Sequence, residues 1–337
     1  MRRGHCATHA GSASDPCESP AWAKMIASLA RRIAILILTI VAASTMVFGL
    51  IHLSGDPTNG FLAPGSTPEV KEAARVRLGL DDPLAEQYLR FMGRTFSADF
   101  GDSWRNRQPA LEAVLDRLPA TLTLAATAIV IATAGGLTLG VLSAWLRSGI
   151  LRSGVRLFAM LGQAFPSFWL GTVAIMIFAV ELGWLPASGN DGWRSLILPA
   201  FTLAAYPGSL IARLTQSALL DVSARPYITS AHAKGLAPRV VWLRHGLPNA
   251  LLPALAIIGL QAGFLVGGAI VVESVFAYPG VGRLALQATS ERDLPVIQAF
   301  VVVTIVLVSL VNIAIDLLAV WIDPVQRESS GMAMSNG

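Results

Sequence analysis

The sequence predicts an all-α, polytopic membrane protein with six transmembrane helices, and three observations carry that prediction. Apolar residues make up 54% of the chain and charged residues only 14%, with a mean hydropathy of +0.60 over 337 residues. A soluble domain carries about a quarter charged residues, so this composition suits lipid rather than water. Apolar runs recur at roughly 33–53, 121–145, 155–180, 197–213, 251–272 and 297–320. Each is near or above the ~20 residues that a helix needs to cross about 30 Å of hydrocarbon. Finally, basic residues gather in alternate connections, as the positive-inside rule requires of spans that alternate in direction.

Taken in order, residues 1–24 are rich in Gly, Ser, Ala, His and Pro without periodicity, which predicts a disordered cytoplasmic tail. Cys6 and Cys17 lie in it at a spacing that matches no usual zinc or redox pattern. Residues 25–325 form the predicted transmembrane domain. Arg31-Arg32 precedes the first apolar run as in a secretory or twin-arginine signal, but no small-x-small cleavage site follows, so the run reads as a first membrane helix. The external loop, 54–120, is long enough to fold. Thr67-Pro68-Glu69 reads as a helix start that lasts to Gly79, and Asp82-Pro83 opens a second helix with Leu84, Tyr88, Phe91 and Met92 on one stripe. That stripe predicts packing on the membrane domain or a docking surface for an extracytoplasmic partner.

Within the spans, Gly136 and Gly140 in the second, and Gly259, Gly263 and Gly267 in the fifth, bare one helix face so that another helix can approach. The fourth span is the least regular, because Pro199 and Pro207 interrupt it. Gln163, Gln261, Asn312 and Asp316 are polar at membrane depth, where a polar group must face protein or water. They either line a pathway or bond neighbouring helices. Residues 326–337 form a cytoplasmic C-terminal tail.

Orientation follows from charge. Lys24, Arg31 and Arg32, then Arg147, Arg152 and Arg156, then Arg213, Arg225, Lys234, Arg239 and Arg244 mark the cytoplasmic connections, so both termini are expected inside. The formal net charge of +4 reflects topology, and no nucleic-acid partner is expected. Catalytic patterns are missing. There is no GxxxxGK[ST], and Lys234-Gly235 has the required order inverted without an upstream glycine cradle. Neither HExxH nor GxSxG occurs, and His5, His9, His52, His232 and His245 are isolated in sequence. The chain is expected to be no enzyme and to hold no cofactor or metal of its own.

One connection is too long for a turn. Residues 214–250 include Tyr227-Ile-Thr-Ser-Ala-His-Ala-Lys-Gly235, then nine residues, then His245-Gly-Leu247-Pro248. This polar, basic segment resembles the EAA loop of binding-protein-dependent ABC importer permeases, with Gly235 and Leu247-Pro248 at the family's separation. Ala231-His232-Ala233 stands where the general pattern has Glu-Ala-Ala, and His245 replaces an Ile. Ala231-His-Ala-Lys234-Gly235 matches the A-x-A-K-G of the dipeptide/oligopeptide branch. Further segments of the same branch follow in order: Gly55-Asp56-Pro57, Leu78-Gly-Leu-Asp81, Asp99-Phe-Gly101-Asp-Ser103, Arg117-Leu-Pro-Ala-Thr121, Phe165-Pro-Ser-Phe-Trp169, Leu185-Pro-Ala-Ser-Gly189, Phe276-Ala-Tyr-Pro279-Gly-Val-Gly282 and Asp323-Pro324. The chain is similar to the B-type subunit, which has a long first external loop.

The resemblance implies a type I ABC importer permease fold in the bacterial plasma membrane. It implies a C-type permease as partner, two ATPase subunits that bind ATP and Mg, and an extracytoplasmic solute-binding protein that delivers a di- or oligopeptide, with nickel chelates or glutathione as alternative cargo. Tyr227–Lys234 would be the coupling helix. Ala231, Ala233 and Gly235 would be small for close seating on the ATPase, with His232 among them. Lys234, Arg239 and Arg244 would pair with its acidic groups, and Leu247-Pro248 would anchor the return to the membrane. A secondary transporter or channel is the rival class, and it would need no ATPase.

Overall fold

The computed structural model describes residues 21–53, 67–78, 80–146 and 149–322, and they are almost entirely helical. Residues 1–20 and 326–337 of the expected tails, Gly55-Asp56-Pro57, Gly79 and Asp323-Pro324 lie outside the described residues, whereas residues 21–24, expected in the disordered tail, are helical and open the first helix. In chain order the helices are α1 (Ala21–Leu53), α2 (Pro68–Leu78), α3 (Leu84–Phe96), α4 (Ala110–Trp145), α5 (Gly149–Ala164), α6 (Ser167–Ala174), α7 (Trp193–Ser223), α8 (Pro226–Ala233), α9 (Pro238–Val241), α10 (Leu247–Val275), α11 (Val281–Glu291) and α12 (Leu294–Ile322). π-helical turns extend α6 over Ile175–Glu181 and α9 over Trp242–Gly246.

Four stretches are long and apolar enough to cross a membrane alone: Ala30–Leu50, Ala110–Trp145, Trp193–Ser223 and Leu294–Ile315. Two bent pairs complete the six, Arg152–Ala164 with Ser167–Glu181 at 109°, and Ile257–Leu265 with Gly267–Val275 at 53°. The sequence places its irregularity in the fourth span, whereas the structure puts the sharper break in the third. Pro166 explains the difference. It sits in extended backbone at ψ 142° just before α6, where it lacks an amide hydrogen and pushes its predecessor out of helical geometry. Pro199 and Pro207 instead lie inside a continuous α7, whose apolar window is 67% buried, so neighbouring helices hold it straight.

The sequence starts the second span near 121, yet its helix begins at Ala110. At 1.5 Å per residue the 36 residues of α4 reach about 54 Å, well beyond the hydrocarbon. Its first turns therefore project past the membrane. There Ala110 and Val114 pack with Phe100, Val281, Leu284, Val296 and Ala299 into a small cluster at the end of the bundle that carries α3 and α11.

The bundle centre is the contact of α4 with α7. Gly136 faces the Gly208 carbonyl and Ile211, and a Cβ there would meet that carbonyl at 2.6 Å. Gly140 lies equally close to Thr215 and the Ala212 carbonyl. Two helices in lipid gain no hydrophobic drive from meeting, so this close backbone approach supplies the packing. Leu124, Ala128, Leu203, Ile211, Leu265 and Phe276 continue the core into α10. On α1, by contrast, Ile35, Leu38 and Met46 are exposed, as expected of a face turned to lipid.

Candidate functional site

At the end of the bundle opposite α3, the chain leaves α7 through a tight turn, with the Arg225 amide donating to the Val222 carbonyl at 3.0 Å. Pro226 suits the first turn of α8 because the amide it lacks would have no helical partner there. After Ala233 the Lys234 amide donates to the Ser230 carbonyl at 3.1 Å and the Leu236 amide to the Ala231 carbonyl at 3.4 Å. Gly235 makes this closure possible, since its φ of +76° is a left-handed conformation that side chains disfavour. Pro238 then opens α9.

The loop has a buried and an exposed face. Ile228, Ala231 and Val241 form a buried cluster against Val222. Leu247 and Trp242 pack with Ala144, Leu219 and Ala250, which fastens the return of the chain to the adjoining ends of α4 and α7. Pro248 stands at the second position of α10. Tyr227, Ala233, Lys234, Gly235 and Arg244 are exposed. Ala231, expected to be small for a partner's sake, is small for its own chain, at 9% exposure beneath α9. The side chains of His232, Arg239 and His245 lie outside the described residues.

The membrane-depth residues separate. Gly259 faces Ile315, and Gly263 faces the Asn312 side chain, where a Cβ would lie 2.7 Å from Oδ1. Both glycines admit α12 to α10, while Gly267 has open space beside it. Gln261 is buried and its Oε1 has no partner among the described residues. The Asp316 side chain lies outside the described residues. Gln163 lines a cavity of about 260 Å³ between α4, α5 and α7.

Two buried carboxylates at the α3 end escape a reading of the sequence. Glu273, fully buried on α10, accepts hydrogen bonds from Thr121 Oγ1 at 2.6 Å and the Arg283 amide at 2.9 Å. Thr121 Oγ1 in turn accepts from the Val281 amide at 2.9 Å, so one carboxylate ties α4, α10 and α11 together. Gly280 and Gly282 flank it closely: a Cβ at 280 would overlap the Glu273 carboxylate, and one at 282 would overlap Ile270 and lie 3.0 Å from Glu273 Oε2. Burial, reinforced by the Glu273 charge, raises the Tyr278 phenol above its ordinary 10.0. Asp293 accepts from Ser103 Oγ and from the Trp104 amide at 3.1 Å, which pins the segment before α4 to the start of α12. Neither position carries a local sequence signal, since Glu273 stands before the Phe276–Gly282 segment and Asp293 follows Glu291-Arg292 like any charged loop residue. Among the described residues no three His, Cys, Asp or Glu side chains are grouped to hold a metal ion.

The external stripe docks on α1. Tyr88 Oη lies 2.8 Å from Thr45 Oγ1, His52 Nε2 is 3.1 Å from Gln87 Oε1, and Phe48 packs against the rings of Tyr88 and Phe91. Gln298 Nε2 donates to Thr95 Oγ1 at 2.6 Å, which holds α3 to α12 as well. Leu84 is exposed on this helix.

Comparison with known proteins matches residues 136–328 to the family described as the binding-protein-dependent transport system inner membrane component, and residues 25–125 to the N-terminal region of such components. The chain belongs to this family. The permease is 40% identical over 305 residues to the glutathione transport system permease protein GsiC of Salmonella paratyphi A (strain ATCC 9150 / SARB42), an alignment covering 90% of this chain and 99% of that one. It is 38% identical over 304 residues to GsiC of Escherichia coli (strain K12), with the same coverage. Among solved structures it resembles the MetNI methionine ABC transporter in an inward-facing conformation, at a TM-score of 0.53 and 21% identity, covering 64% of this chain and 98% of that one. An amino acid ABC transporter crystallised with histidines gives a TM-score of 0.51 at 14% identity, covering 62% and 93%. The permease therefore has the type I ABC importer fold and is a multi-pass inner-membrane subunit of an ABC importer.

Proposed function

We propose that this permease is the B-type half of a peptide-class importer, that it pairs with a C-type permease, and that its α8 loop receives the stroke of two ATPase subunits. The exposed face of α8 supports this reading best. Ala233, Lys234 and Gly235 are presented outward while Ile228, Ala231 and Val241 root the same helix in the bundle. A short helix fastened in this way moves as a rigid body when its partner moves. The α8 end is then cytoplasmic, in keeping with Arg225, Lys234 and Arg244, and both termini lie inside.

ATP and Mg bind on the ATPase chains. Closure of the ATPase dimer pulls α8, and the contacts of Leu247 and Trp242 with Leu219 and Ala144 pass the displacement to α4, α7 and α10. The bundle is thereby biased between inward-open and outward-open states through differential contact. Cargo arrives from an extracytoplasmic binding protein at the α3 end. Glutathione, itself a small peptide, is the first cargo to test, because the GsiC relatives are named for it.

Co-purification of the tagged permease should bring a second permease and two ATPase chains. Proteoliposomes holding that complex and the binding protein should accumulate labelled glutathione or dipeptide only with ATP. Uptake by this chain alone down an ion gradient would contradict the proposal.

A further inference from the structure

Side chains of α4, α5 and α7 line the partly open cavity of about 260 Å³, far above the ~10–15 Å³ that one water needs, with Arg156 and Arg213 exposed on it. Its polar lining is Ser143, Arg156, Gln163, Ser209, Arg213 and Gln216, with no Asp or Glu among the described residues. Ser143 and Ser209 donate their hydroxyl hydrogens to the Gly140 and Tyr206 carbonyls, so the donors left for an occupant are two guanidiniums and two amides. Gln216 is 8% exposed and its Nε2 has no partner among the described residues. Among the described residues neither Arg156 nor Arg213 meets a carboxylate. Two cations and an unmade buried donor around one space call for an acceptor carrying negative charge.

We propose that this cavity binds an anionic oxygen group, supplied by the phosphate of an acidic phospholipid. The mouth favours that source over a free carboxylate. Leu157, Met160 and Leu161 are exposed on α5 beside Arg156, so an apolar flank borders the basic mouth as acyl chains border a headgroup. One turn before Arg156, Arg152 ties α5 to the end of α4, donating from Nε at 3.0 Å and Nη2 at 2.7 Å to the Leu146 carbonyl. The inference is independent of the cargo and of the ATPase partners.

The test uses the purified importer complex in nanodiscs of phosphatidylcholine with or without phosphatidylglycerol. Bound lipid is counted by native mass spectrometry after extraction. Wild type should retain phosphatidylglycerol, and the Arg156→Gln/Arg213→Gln double variant should retain about tenfold less or lower, with an unchanged melting midpoint in phosphatidylcholine alone. Arg156→Lys/Arg213→Lys, which keeps the charge, should retain most of it. Equal retention by wild type and the glutamine variant would overturn the proposal. So would binding of glutathione in phosphatidylcholine discs that the glutamine variant abolishes while phosphatidylglycerol is never retained, since the anion would then be a cargo carboxylate. If the double variant does not fold, Gln216→Leu carries the same two outcomes.

Discussion

Neighbouring residues of one short helix do opposite work. Ala231 and Ala233 look equivalent in sequence, yet the first is packed under Val241 and the second is exposed. An Asp at 231 would bury an unpaired carboxylate and disorder the loop, so only position 233 probes docking cleanly. At the other end Glu273 forms no ion pair among the described residues and relies on hydroxyl and amide donors. Hydrogen bonds to a charged group contribute about 1.5–3 kcal/mol each, so Glu273→Ala should lower the unfolding free energy by a few kcal/mol, read as a fall in the melting midpoint. Tyr278 gives a pH signature. Its phenol is raised in the folded state, so its stabilising contribution is intact below about 10 and is lost as pH climbs from there through the raised value. Tyr278→Phe should remove that part of the alkaline slope in a pH series of melting midpoints. None of this is written locally. Thr121 and Glu273 are 152 positions apart and meet only because α4 and α10 fold side by side.

Elements were more legible than contacts, because length and periodicity are local properties. The helix starts at Pro68 and after Pro83 follow from first-turn proline chemistry, and the structure begins α2 and α3 there. Gly136 and Gly140 announce a close helix approach, but nothing in the sequence names α7 as the helix that arrives. The break of the third span was misread for a related reason. Pro166, Pro199 and Pro207 carry the same backbone penalty, and only the tertiary setting decides that α7 absorbs two of them while Pro166 divides α5 from α6. Gly140→Leu tests the central pair. Its side chain would enter Thr215 and the Ala212 carbonyl, so α4 must retreat, and overpacking of this kind costs typically 1–3 kcal/mol or more. The variant should assemble poorly and melt lower, whereas leucine at Gly149, which has open space beside it, should leave assembly intact.

At the scale of the whole molecule the bundle has two differently built ends. The α3 end is tied together by Glu273, Asp293 and the docking of Tyr88 and Gln87 on α1, which suits the proposed meeting with a binding protein. The α8 end is a basic, exposed loop anchored through Leu247 and Trp242 to the helices that form the core. A force applied to α8 would reach α7 through the packing of Ile228 and Ala231 on Val222, and α4 and α10 through Trp242 and Leu247. Family membership and importer fold follow from the comparisons, while the claim specific to this chain is that α8 is the point of mechanical input. The most direct measurement is ATP hydrolysis by the purified complex, with and without cargo-loaded binding protein, for wild type and Ala233→Asp. The substitution places a charge on the exposed face and leaves the buried cluster untouched. Stimulation by loaded binding protein should fall by about tenfold or more while the bundle melts as wild type does. Full stimulation and uptake in the Ala233→Asp complex would contradict the account.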